Sequence, residues 1–116
     1  MATTYVKFTN DEGREAGIKQ LFGLDEKDEA TQVFMEKVNE GYAGGGLTVE
    51  VVYVKNPVTP YQKLMNSLAE IGVTGIRFQK SYKGEKAAWL ALRLKSMEHK
   101  KKLEKGLDGL GLDVVK

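Results

Sequence analysis

The order of apolar periodicities predicts an α+β fold. It is a βαββαβ sandwich over residues 48–116, a four-stranded antiparallel sheet with two helices on one face, preceded by a strand and helix extension over residues 1–47. Three observations carry this. Residues 48–55 are rich in β-branched side chains and residues 87–94 alternate, segments with apolar spacings of three and four run up to a glycine, and a glycine run divides the chain into parts of opposite charge.

In the first part, residues 4–8 (Thr-Tyr-Val-Lys-Phe) predict a short strand, and residues 11–22 a weak helix interrupted by Gly13 and Gly17. Residues 26–40 predict a better helix, with Ala30, Val33, Phe34, Lys37 and Val38 on one face and Gly41 as its stop. Gly41-Tyr42-Ala43-Gly44-Gly45-Gly46 reads as a hinge, because glycine loses the most backbone entropy in a helix.

In the second part, residues 48–55 read as a strand bounded by Gly46 and Pro57. Thr59 caps a helix that begins at Pro60, presents Leu64, Met65, Leu68 and Ile71, and ends at Gly72. Residues 74–79 alternate Ile76 and Phe78 with Arg77 and Gln79, and residues 81–84 form a turn. Residues 87–94 place Leu90, Leu92 and Leu94 on one face and Trp89, Ala91 and Arg93 on the other. Ser96 caps a lysine-rich helix stopped at Gly106, and residues 112–115 close as a last strand. Two βαβ units of this length interleave most readily into a ferredoxin-like sandwich, whose second sheet face is open. Residues 4–8, whose Tyr5-Val6-Lys7 recurs as Tyr53-Val54-Lys55, can add a fifth strand at the sheet edge.

At 116 residues, 41% hydrophobic and 29% charged, the chain has the size and composition of one globular domain. The net charge of +2 conceals an asymmetry: 5 basic and 9 acidic residues precede Leu47, and 13 basic and 7 acidic follow it. A basic sheet with an open face points to a polyanion. Zero cysteines and the single His99 exclude thiolate chemistry, Cys-based metal sites and a histidine relay, so neither metal nor cofactor is expected. No nucleophile and base pair or paired catalytic carboxylates can be assembled, so an enzyme is not expected. No stretch nears the roughly 18 apolar residues of a membrane span, and no signal segment opens the chain, so a cytoplasmic protein with no membrane partner is expected.

If residues 48–55 and 87–94 are the two central strands, Tyr53 and Trp89 meet on the open face, ringed by Lys55, Arg77, Lys83 and Arg93. Aromatics stack bases and the cations attract phosphates, which predicts single-stranded RNA as partner. Alternatively, Trp89 is core, covered by the helix at residues 26–40 with Phe34. The chain is then a protein-interaction or regulatory protein, an inhibitor or assembly subunit, with a protein partner or a second copy of itself. The lysines at 100–102 read as a solvated helix face or a phosphate patch.

These residues resemble the RNA recognition motif family over residues 48–116. Val52-Tyr53-Val54-Lys55-Asn56-Pro57 resembles its first signature, and Lys83-Gly84 with Ala88-Trp89-Leu90-Ala91-Leu92 its second. Leu107-Asp108-Gly109 through Val114 resembles its closing turn and strand. The second signature departs from the family by the inserted Glu85 and Lys86 and by Ala87 in place of the outer aromatic. The resemblance implies that Tyr53 and Trp89 each stack a base.

Overall fold

A computed structural model describes residues 2–44 and 46–115. The elements are β1 (Ala2–Phe8), α1 (Asp11–Phe22), α2 (Glu29–Gly44), β2 (Thr48–Glu50), α3 (Pro60–Glu70), β3 (Val73–Tyr82), β4 (Glu85–Leu94), α4 (Met97–Gly109) and β5 (Asp113–Val115). The strands form one antiparallel sheet in the order β2-β3-β4-β1-β5. This α+β arrangement is compatible with a ferredoxin-like fold, but it differs from the sequence expectation in strand count and order.

The strand at residues 48–55 was expected at the sheet centre; instead β2 covers only Thr48–Glu50 and lies at the edge, paired with β3 alone. The middle strand is β4, and β1 is also interior, between β4 and β5, and is not the edge addition its sequence also allowed. The reason is burial on alternate positions. Ala2, Thr4, Val6 and Phe8 are all buried, and Thr3, Tyr5 and Lys7 are half-buried, so both faces of β1 are occupied. The N-terminal residues are thus built into the same sheet as the rest, and the chain forms a single compact domain.

β2 stops early because the chain after it turns to α3. Val51 N–H still donates to the Thr74 carbonyl, 3.1 Å, but the Val54 backbone is taken by the buried Asn66. The Asn66 side chain accepts from Val54 N–H at 2.7 Å and donates to its carbonyl at 2.8 Å, standing in for a strand neighbour. The cap expected at Thr59 is present, and Gln62 closes it into a capping box, with Pro60 in the first turn.

The glycine run is not the hinge expected. α2 continues through Gly41, Tyr42 and Ala43 to Gly44, and Gly45 lies outside the described residues. Packing overrides propensity here: a Cβ on Gly41 would stand 2.5 Å from Phe78 Cδ2, and Tyr42 is buried with its hydroxyl donating to the Trp89 carbonyl at 2.8 Å. α2 also begins later than residue 26, because the Asp25 side chain and carbonyl accept from Lys27 N–H and Asp28 N–H in a turn of their own.

All four helices share one core. Ile18 of α1, Phe34 and Val38 of α2, Met65 and Leu68 of α3 and Leu107 of α4 pack with Val6, Phe8, Ile76, Phe78, Leu90, Leu92 and Leu94 of the sheet. Ile71, expected in that core, is exposed at the end of α3. The side chains of opposite parity on the strands therefore form a second sheet face without a helix over it.

Candidate functional site

The open face is a grid set by strand register. One row runs straight across all five strands as Thr48, Arg77, Ala91, Tyr5 and Val115. On one side of it lie Gln79, Trp89, Lys7 and Asp113, and on the other Glu50, Gly75, Arg93 and Thr3. Ala91 and Gly75 are too small to fill their positions, so a cleft of about 450 Å³ opens above them, lined by Thr3, Tyr5, Thr48, Arg77, Gln79 and Arg93.

Trp89 belongs to this face but is only 1% exposed. The helix α2 does not cover it, since Phe34 is in the core on the other side of the sheet. The β3–β4 hairpin does. Lys83 and Gly84, both at positive φ, make a two-residue turn between the paired Tyr82 and Glu85, and the register shifts between Gln79 and Ser81. Tyr82 then lies edge-on to Trp89, ring centroids 5.3 Å apart, and stacks on Tyr5 at 3.8 Å. Trp89 Nε1 donates to the Glu85 carbonyl at 2.9 Å, and Lys7 pairs with the Glu85 carboxylate. That hydrogen bond chiefly raises the Lys7 ammonium above its ordinary pKa, with the Asp113 charge adding to it and desolvation opposing.

The expected meeting of Tyr53 and Trp89 does not occur. Tyr53, 61% exposed, and Lys55 lie in the irregular segment between β2 and α3, beside the exposed Val52 and Val58. Lys83 sits at the hairpin tip with its ammonium 5.4 Å from the Tyr82 ring centre. Of the six residues singled out, Arg77 and Arg93 alone line the cleft.

The two arginines differ. Arg77 is exposed and has no hydrogen-bond or ion-pair partner among the described residues. Arg93 is held: Nε donates to Thr74 Oγ1 at 3.1 Å, and Nη2 to the Thr74 carbonyl at 3.3 Å and to Glu50 Oε2 at 2.5 Å. Gly75 makes this possible, because a Cβ there would meet Arg93 Nη2 at 2.6 Å. The cations of the open face are thus largely paired, and much of the basic charge of the second half lies elsewhere, including Lys101, Lys102 and Lys105 on the exposed side of α4.

Tyr5, Tyr82, Gln79 and Glu50 were not among the expected site residues. The alternation of Tyr5 against Val6 is the signal for the first of them, once residues 4–8 are placed inside the sheet beside residues 88–94. A second concavity, an apolar groove of about 450 Å³, lies between α1, the end of α3 and α4, lined by Leu21, Ile71, Leu103, Leu107 and Leu110. Among the described residues no helix is long and apolar enough to cross a membrane.

The fold and the cleft together define an α+β protein with one open sheet face. No protein-family model matches the chain, and no curated protein or solved structure matches it.

Proposed function

We propose that the chain is a non-enzymatic binding module that takes single-stranded RNA along the open sheet face. One observation carries the reading: the cleft above Ala91 and Gly75 sets two guanidinium groups, Arg77 and Arg93, around the same concavity as an aromatic ring, Tyr5. A guanidinium offers a planar fork of donors to a phosphate, and an aromatic face accepts any base. Tyr82 backs one side of the Tyr5 ring, so a base stacked on Tyr5 would extend an existing aromatic pile. In the same reading, β1, β3, β4 and β5 with the intervening helices are the ferredoxin-like unit, and β2 is an added edge strand.

The roles differ from those first expected. Tyr5 replaces Tyr53 and Trp89 as the stacking surface; Trp89 supports Tyr82 from below. The affinity that two phosphate contacts and one stacked base provide is modest, and it falls with salt.

The test is fluorescence anisotropy of a labelled oligonucleotide of about eight nucleotides at low salt, with wild type, Tyr5→Ala, Arg77→Gln and Arg93→Gln. Saturable binding weakened roughly five- to 150-fold by Tyr5→Ala is expected, from about 1 to 3 kcal/mol per stacked base. Absence of binding, or wild-type affinity in all three variants, would reject the reading. A stable dimer that buries this face would support the protein-interaction role instead.

A further inference from the structure

We propose that Glu50 sets the affinity of the open-face site by occupying, with its own carboxylate, the position at Arg93 that a phosphate would take. The inference rests on the RNA-binding reading above and names how that same site is regulated.

Register brings the pair together. Glu50 and Arg93 stand on β2 and β4, two strands apart in one row, with Gly75 of β3 between them. A side chain at that position would block the crossing, because its Cβ would lie within 2.9 Å of Arg93 Cζ and 2.6 Å of Nη2. The guanidinium therefore lies over the glycine and reaches Glu50 Oε2 at 2.5 Å. Its other flank is held by Thr74, so the group is oriented without Glu50. A carboxylate is the planar oxyanion that most resembles a phosphate edge to such a fork. Glu50 is 61% exposed at the sheet edge, where it can swing away without disturbing the core.

The two arginines then work differently. Arg77 has no internal competitor and attracts any phosphate. Arg93 engages only when the incoming anion outcompetes Glu50, so a single isolated phosphate gains one arginine and a strand placing two phosphates in the cleft gains both. Neutralising Glu50 removes both the competitor and the repulsion between its carboxylate and the ligand.

The experiment is a double-mutant cycle on the intact chain, with Glu50→Gln, Arg93→Gln and the pair combined, titrated with a labelled oligoadenylate of about eight nucleotides. Glu50→Gln is expected to tighten binding roughly two- to fivefold, the range of an exposed ion pair. In the Arg93→Gln background no pair is left to release and only the weak repulsion of an exposed carboxylate is relieved, so the same change should alter affinity less than about 1.5-fold. An equal gain in both backgrounds would mean that Glu50 acts only as a general negative charge, and would overturn the proposal. So would wild-type binding that Glu50→Gln leaves unchanged or weakens while lowering Tm, the result expected if the pair only fastens β2. If no form of the protein binds the oligonucleotide, the RNA-binding reading itself falls, and this inference with it.

Discussion

Tyr5 and Tyr82 stack with ring centroids 3.8 Å apart and planes 15° from parallel, although 77 positions separate them in the chain. The contact folds the β3–β4 hairpin across the sheet and closes it over Trp89. The sole tryptophan is therefore a buried reporter: its emission should be blue-shifted and poorly quenched by acrylamide. Tyr82→Ala should shift the emission to longer wavelength and cost roughly 1 to 3 kcal/mol, measured by urea denaturation.

The helix that runs into the glycine stretch makes a paired prediction. Gly41→Ala puts a methyl group 2.5 Å from the Phe78 ring, and the overpacking should cost roughly 1 to 3 kcal/mol despite the better helix propensity of alanine. Gly44→Ala, which meets nothing within 4 Å, should be neutral or stabilising by up to about 1 kcal/mol. Thermal melts of the two variants should move in opposite directions or differ sharply.

Tyr42 links α2 to β4 through its hydroxyl. Burial pushes that hydroxyl above its ordinary value, while the Arg14 charge pulls the other way by less. A phenol whose pKa is raised on folding contributes stability that is complete below the unfolded value of about 10 and is lost as pH climbs toward the folded one. Tyr42→Phe should therefore lose roughly 1 to 2 kcal/mol near neutrality through the hydrogen bond to the Trp89 carbonyl. The same variant should show a shallower alkaline loss of stability, measured as urea midpoints at about pH 8 and about pH 11.

Asn66 satisfies both backbone groups of Val54, and no other side chain type offers a donor and an acceptor in that geometry except glutamine, which is longer. Asn66→Leu removes both the donor and the acceptor and leaves the two Val54 backbone groups without their partner. It should cost roughly 1 to 3 kcal/mol and raise the hydrogen-exchange rate of the Val54 amide well above that of Val49, which β3 still holds.

Local signals in the chain were sufficient for most elements. Leu90, Leu92 and Leu94 face the core as their alternation requires, and the caps at Thr59 and Ser96 hold. What could not be read were choices between competing long-range contacts. Residues 51–54 have strong β propensity, but Asn66, twelve positions after Val54, takes the Val54 backbone that a strand neighbour would have used. Gly41 has the poorest propensity short of proline, but Phe78 fits only against a residue without a side chain. The position of β1 in the sheet interior follows from pairing with Ala88 to Leu94, far along the chain. This one placement decided the site. With β1 beside β4 inside the sheet, Tyr5 and not Tyr53 joins Arg77 and Arg93.

The most direct measurement is a map of amide and arginine side-chain NMR shifts as single-stranded RNA is added. Shifts are expected at Thr3, Tyr5, Thr48, Arg77, Gln79 and Arg93, with Leu103, Leu107 and Leu110 of the groove behind the sheet unmoved. Shifts confined to α4 and that groove, or none at all, would contradict binding on the open sheet face.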